Sequence, residues 1–375
     1  MIETVYISTF FGTANYGTCA QSIALMKEFN KLGCNVVFLR KFKEPIVFLI
    51  HPSLLWYRIV NKVNRKRTRS FFDPVVYNIS EKRKAYLDRF NAENYKAVDI
   101  SNYRQWKDII SSNVAFVSGS DIIWQPSRGY PTTHFLDFAY YSKTPRFAYA
   151  SSFGSKDLPS KYYKLYKKYL GSYKGLGLRE KSSALQLQGI LNKAVDTVVD
   201  PTLLLTKSDW DEYSVRAKLP STMPKNGYIL CYMVMYDPKY WIYVQKVAKQ
   251  TNLPLVILPM HDIDEKQKGT IITEGSLYEF IKLIKDAEIV ITDSFHCCVF
   301  STIYEKEFYL LRRARKEENA KFDDFFDRYG LSGREILDRD RFDRRAPVNF
   351  ETARKNITID RERSILYLKK MLSET

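Results

Sequence analysis

The chain has 375 residues, of which 45% are hydrophobic and 27% charged. That is the makeup of a globular protein of two or three domains, not of a disordered one. No run of about 18 uncharged apolar residues occurs, which excludes a spanning helix. Five cysteines without a CxxC spacing argue against a disulfide framework and a structural zinc site. The 59 basic and 42 acidic residues leave a net charge of +17, a field that draws anionic partners without choosing among them.

The opening MIETVYISTFFG lacks the basic and apolar regions of a secretion signal, so a reducing cytosol is the expected compartment. Thr4–Ser8 reads as a strand, and Thr9–Gly17 as a loop with Gly12, Asn15 and Gly17. Thr18–Leu32 follows at helical spacing, Gly33 stops it, and Asn35–Arg40 is a second strand. This βαβ opening predicts a parallel sheet.

Residues 45–95 differ, and they are expected to form a basic insertion. PIVFLIHPSLLWYRIVNKV runs into NRKRTRS, with Arg58, Lys62, Arg65, Lys66, Arg67 and Arg69 in close succession. The composition suits an amphipathic segment resting on anionic lipid headgroups. The competing reading is a solvated insertion near the cleft.

Alternation resumes with strands at 113–121, 144–154 and 174–180 and a helix from Lys181 to Gln188, and DTVVDPTLLL (196–205) closes this half at Pro201. In the second half, strands are expected at 227–234, 253–260, 288–294 and 307–313. Helices are expected over 238–250, 277–286 and 296–305. The pattern predicts two Rossmann-like α/β domains, 1–205 and 206–375, facing a cleft. The carboxyl ends of the strands should look into it, and the final helical stretch, 349–371, should pack back across both.

Four histidines, His51, His134, His261 and His296, offer no metal-ligand spacing, so no metal is expected. HExxH, the P-loop, GxSxG and GxGxxG are all missing. His296 follows the strand EIVIT and the turn residues Asp293, Ser294 and Phe295, and it begins a helix. The amide groups of that first turn form an anion site, and a histidine there can move a proton near neutral pH. Arg179 ends the strand GLGLR, where a guanidinium can clamp a carboxylate or phosphate. Its plain alternative is an ion pair with Glu180.

Seven motifs occur in order: TANYGTCAQSIAL (13–25), FVSGSDIIWQP (116–126), FLDF (135–138), FAYASSFG (147–154), LREKSS (178–183), VVDPTLLL (198–205) and TDSFHCCVFS (292–301), the last followed by EKEFYLL. Together they resemble the polysaccharide pyruvyl transferase family over roughly residues 4–335. The resemblance implies a fold like that of the two-domain GT-B glycosyltransferases. It also implies transfer of the enolpyruvyl part of phosphoenolpyruvate onto two sugar hydroxyls, with release of phosphate and no cofactor. His296 matches the family's catalytic histidine and Arg179 a phosphoenolpyruvate-binding arginine. Asn15, Tyr16, Gln21, Asp121 and Trp124 match motifs expected to line the acceptor side of the first domain. The second domain would then be the donor side. Where the family reads SFHGT, this chain has Cys297 and Cys298, which puts a side chain into the anion-binding turn and removes a hydroxyl.

Phosphoenolpyruvate is strongly anionic, and its vinyl carbon must be protonated, so the reaction needs cations, an acid and help for the attacking hydroxyl. Arg179 and the first turn after His296, with Ser294 and Phe295, are expected to hold the donor, together with Arg312 or Arg313. Asp121 is expected as hydroxyl base, against its plain reading as a turn-forming residue. The acceptor would be a glycan, free or lipid-linked, met at the inner face of a membrane. A GT-B glycosyltransferase using a nucleotide sugar is the alternative, with EGSLYEF (274–280) as the nucleotide grip. A non-enzymatic binder of acidic polysaccharide or nucleic acid ranks lower. Nucleic acid is not expected as a partner, because no helix-turn-helix, zinc finger or RNP motif is visible.

Overall fold

The computed structural model describes residues 2–40, 81–99, 109, 113–125, 132–139, 142–235, 237–313, 319–336 and 347–373. The first half begins with β1 (Thr4–Ser8), α1 (Tyr16–Lys31) and β2 (Asn35–Arg40), followed by α2 (Glu81–Asn94) and β3 (Ala97–Asp99). Next come β4 (Val114–Ser118), β5 (Arg146–Ser151), α3 (Tyr163–Leu170), β6 (Gly175–Leu178), α4 (Lys181–Leu191) and β7 (Asp196–Thr197). Its seven strands are ordered β3-β2-β1-β4-β5-β6-β7. All pair in parallel, with Val5 opposite Val36 and Tyr6 opposite Phe116.

The second half holds α5 (Lys207–Ser214), β8 (Ile229–Tyr232), α6 (Lys239–Thr251), β9 (Leu255–Ile257), α7 (Asp262–Glu265) and β10 (Thr270–Ile271). It continues with α8 (Leu277–Asp286), β11 (Ile289–Thr292), α9 (Phe295–Ile303), β12 (Glu307–Leu311), α10 (Ala320–Tyr329), β13 (Glu335–Ile336) and α11 (Glu351–Ser373). Its parallel sheet is ordered β10-β9-β8-β11-β12-β13. The strand order therefore reverses once in each sheet, between β1 and β4 and between β8 and β11. Such switch points leave a crevice at the carboxyl ends of the strands, where ligands bind.

Central strands such as VAFVS, RFAYAS and IVIT are buried along their whole length, as parallel strands covered on both faces must be. Helix α8 shows how a sequence fixes its element. Ser276 and Glu279 form a reciprocal capping box, and Leu277, Phe280, Ile281 and Ile284 recur on one buried face. Each of those side chains contributes about 1.5–3 kcal/mol by leaving water. One hydrophobic core runs through both halves. Tyr16 of α1 stacks on Phe280 of α8, with ring centroids 5.3 Å apart.

Arg58 to Arg69, the basic cluster, lie outside the described residues. Within the 45–95 segment, Glu81–Asn94 forms α2, which joins the two halves. Arg83 lies over the Tyr16 ring at 4.9 Å and donates to the Pro259 carbonyl. In DTVVDPTLLL the strand covers only Asp196–Thr197. Pro201 has no N–H to give a ladder, and Asp200 Oδ1 accepts from Thr202 N (3.1 Å), starting a single 3₁₀ turn. No helix among the described residues is long and apolar enough to cross a membrane.

Candidate active site

Residues from both sheets meet where the strands end. Arg179 follows β6 and Asp200 follows β7, while His296 is the second residue of α9, after β11. Arg179 is 5% exposed, Asp200 2% and His296 7%. Asp200 Oδ2 accepts from an Arg179 terminal nitrogen at 3.0 Å and lies 3.3 Å from His296 Nε2. The Asp200 Oδ1 oxygen accepts from the Thr202 amide and hydroxyl, at 3.1 and 2.7 Å. Arg179 Nε donates to Glu180 Oε1 at 2.8 Å, so the ion pair with Glu180 is present. The guanidinium also stacks 4.5 Å above the ring of Phe295, and its second terminal nitrogen is buried without a hydrogen-bond partner.

Burial alone would raise the Asp200 carboxyl, but His296 and Arg179 outweigh it and hold the group well below the usual range. The same balance holds at Asp121: burial is outweighed by the charges of His296, Arg179 and Lys321, and its carboxyl is lowered. Burial works against charge on Arg179 too, yet Glu180 and Asp200 raise its pKa.

Helix α1 carries the other wall. Asn15 caps it, accepting from the Gly17 and Thr18 amides at 3.0 and 3.3 Å. Gly17 lies against the imidazole, and a β-carbon there would sit 2.4 Å from His296 Nδ1. Only glycine allows the two halves to approach this closely. Thr18 donates to Asp121 Oδ2 at 3.2 Å. Asp121 occupies the left-handed region, φ 73°, held by Ile123 and Ser152 amides on its carbonyl. Aspartate tolerates this conformation better than most residues.

The structure brings His296, Arg179, Asp121 and Phe295 together. Ser294 is the buried residue preceding α9, its side chain making no cap hydrogen bond. Arg313 is close, donating to the Asp293 carbonyl at 3.2 Å. Arg312 is not brought in, because Asp323 and Glu335 (2.9 Å) hold it. Gln21 and Trp124 do not line a cleft. Gln21 is wholly buried and donates to the Phe10 and Thr18 carbonyls. Trp124 stacks on Phe135 and donates to the His134 carbonyl. Tyr16 crosses to the second half, where its hydroxyl donates to the Gly275 carbonyl at 3.3 Å. Cys297 and Cys298 are fully buried free thiols whose pKa values burial pushes up, that of Cys297 to about 12. They pack in the core and do not obstruct the turn.

Two members were not singled out from sequence. Asp200 stood inside a quoted motif, an acid before proline at the end of an apolar run. Lys321 is the second residue of α10 and carries no motif. Arg179, Glu180, Asp200, Phe295, Lys321 and Asp324 border one cavity. Lys321 has no ion pair among the described residues, and its ammonium sits 5.9 Å from the Phe295 ring and 5.4 Å from that of Phe322. Desolvation, then Arg313 and Arg179, lowers its pKa to about 7 against the pull of Asp121 and Glu180. Arg179 and Lys321 thus present a fixed guanidinium and a titrating amine to that cavity, with the His296 imidazole linked to it through Asp200. That set can bind an anion and transfer a proton.

In EGSLYEF, Glu279 is buried and already engaged. It accepts from Ser276 N, Ser276 Oγ and Lys218 N at 2.7, 2.8 and 2.9 Å. Among the described residues no group of three or more His, Cys, Asp or Glu is placed to hold a metal.

The family model for polysaccharide pyruvyl transferase matches residues 15–315, a span that contains every residue of this cluster except Lys321 and Asp324. The chain belongs to the polysaccharide pyruvyl transferase family. A comparison with curated proteins finds no match. Among solved structures, the UDP-GlcNAc 2-epimerase of Methanocaldococcus jannaschii superposes with a TM-score of 0.55 at 13% identity. That alignment covers 98% of this chain and 100% of the epimerase. A Listeria monocytogenes protein described as a UDP-N-acetylglucosamine 2-epimerase gives 0.51 at 10% identity, covering 99% and 90%. At such identities the likeness shows the fold alone, two facing α/β domains of GT-B type. Family membership makes the chain a transferase acting on polysaccharide.

Proposed function

We propose that the protein transfers the enolpyruvyl group of phosphoenolpyruvate to two hydroxyls of one sugar, forming a pyruvyl ketal. The observation that carries this reading is the meeting of Arg179 and His296 from opposite sheets in a family member. A small, densely anionic donor calls for cations on both sides and an acid between them. In this reading Arg179 and Lys321 hold the donor's carboxylate and phosphate, with Arg313 adding positive charge.

His296 delivers a proton to the vinyl carbon, which becomes the methyl group and leaves C2 electrophilic. The first hydroxyl adds to C2 and gives up its proton, with Asp121 as acceptor. Phosphate then leaves with its bonding pair, and the second hydroxyl adds to C2, losing its own proton. One proton enters at carbon and two are released, one of which goes to phosphate. No cofactor or metal takes part. The nucleotide-sugar reading is weaker, because Glu279, its candidate grip, is spent on a helix cap and the Lys218 amide. In this reading the acceptor is a glycan, free or lipid-linked, and a lipid-linked one is met at the inner face of the membrane.

Phosphate release from phosphoenolpyruvate in the presence of free or lipid-linked glycans tests this. The His296→Ala variant is expected to fold and to lose more than about 90% of the rate, since a tenfold loss equals about 1.4 kcal/mol of barrier. No release with any glycan, or turnover of nucleotide sugars instead, overturns the reading.

A further inference from the structure

Asp200 is built with more care than a buried ion-pair partner needs. One oxygen is saturated by the amide and hydroxyl of Thr202, at 3.1 and 2.7 Å. That fixes the rotation of the carboxylate and leaves the other oxygen for Arg179, at 3.0 Å, and His296 Nε2, at 3.3 Å. The anchor belongs to the first half, whereas the imidazole comes from the second. Nε2 is within ion-pair distance of Asp200 but makes no hydrogen bond, and on the opposite edge of the ring Nδ1 faces Gly17, where no side chain fits. The ring is therefore wedged between a carboxylate and a bare helix end.

We propose that Asp200 is the positioning residue for His296, fixing the imidazole of one half and the Arg179 guanidinium of the other on one oxygen. The proposal rests on the reading of His296 as the acid. A carboxylate beside Nε2 sets the ring plane, as oriented bases elsewhere require. The other charge that acts on the ring is Asp121, after β4, while Arg179, after β6, meets it through Asp200, and the α1 end lays Gly17 against it.

The test follows His296 itself by NMR titration, which four histidines in the chain make tractable, alongside the pH dependence of phosphate release. In Asp200→Asn the His296 midpoint should fall by about one unit or more, as expected when an adjacent carboxylate is neutralised. The corresponding limb of the pH–rate profile should move with it, and kcat should drop about tenfold or more. Thr202→Val keeps the charge and loosens only the anchor, so it should fold even where Asp200→Asn does not. Its midpoint should move the same way by less. An unchanged midpoint in the folded variants, with loss of thermal stability alone, would show a merely structural carboxylate and overturn the proposal. The titration needs no donor. A shifted midpoint in a protein that never releases phosphate defeats the function proposed above and leaves the positioning role standing.

Discussion

Lys321 is the residue whose behaviour most directly reports the charge of the pocket. An ammonium near two arginines and two aromatic rings, with its pKa lowered to about 7, carries its charge below that pH and loses it above. If it holds the donor's anionic groups, the KM for phosphoenolpyruvate should rise as pH passes from 6 to 8. Arginine stays protonated throughout this range. Lys321→Arg should therefore flatten the KM profile, and Lys321→Gln should raise KM about tenfold or more at pH 6, the scale of one lost charge-assisted hydrogen bond. Steady-state kinetics at three pH values decides the matter. A wild-type KM that is level from pH 6 to 8 would remove Lys321 from the donor site.

At the scale of elements, α11 is the strap that ties the halves. Tyr367 donates to the Ala148 carbonyl of β5 at 2.8 Å, and Arg361 Nε donates to the Leu203 carbonyl at 2.6 Å. Asp360 accepts from Arg328 of α10 at 2.7 Å. The Ser364 hydroxyl accepts from the Val199 amide at 3.0 Å, one residue before Asp200. Ser364→Ala leaves that buried amide unsatisfied and should cost about 1–3 kcal/mol in urea unfolding. A loss below that range would mean that the amide finds water.

Elements of this kind were readable from sequence where burial pattern and punctuation agreed. The run NVVFLR follows the stop at Gly33, EIVITDS ends in turn residues, and the helix expected over 277–286 is found there with its cap. His296 and Arg179 were readable because residues just after parallel strands face the crevice by topology. Lys321 was not, since α10 shows only its aromatic face (Phe322, Phe325, Phe326, Tyr329), and nearness to Arg179 is a tertiary fact. Motif position also misplaced Gln21 and Trp124, whose polar groups satisfy buried carbonyls and not a substrate.

For the whole molecule the unspent feature is its charge. Near the cluster acids nearly balance bases: Asp121, Glu180 and Asp200 face His296, Arg179 and Lys321. The net +17 must therefore act elsewhere. The densest run is Arg58, Lys62, Arg65, Lys66, Arg67 and Arg69, preceded by Leu54, Leu55, Trp56 and Tyr57. Leucine, tryptophan and tyrosine beside basic residues is the composition of an interfacial segment. Basic residues near an anionic surface contribute about 1 kcal/mol each at low salt, enough in sum for weak, reversible docking. The protein should sediment with phosphatidylserine vesicles at low ionic strength and leave them at high salt, because screening shortens the reach of the field. Changing Arg65, Lys66, Arg67 and Arg69 to glutamine should abolish sedimentation and spare turnover of a soluble acceptor. Equal binding to neutral and anionic vesicles, or no loss in the quadruple variant, would place the membrane contact somewhere other than this run.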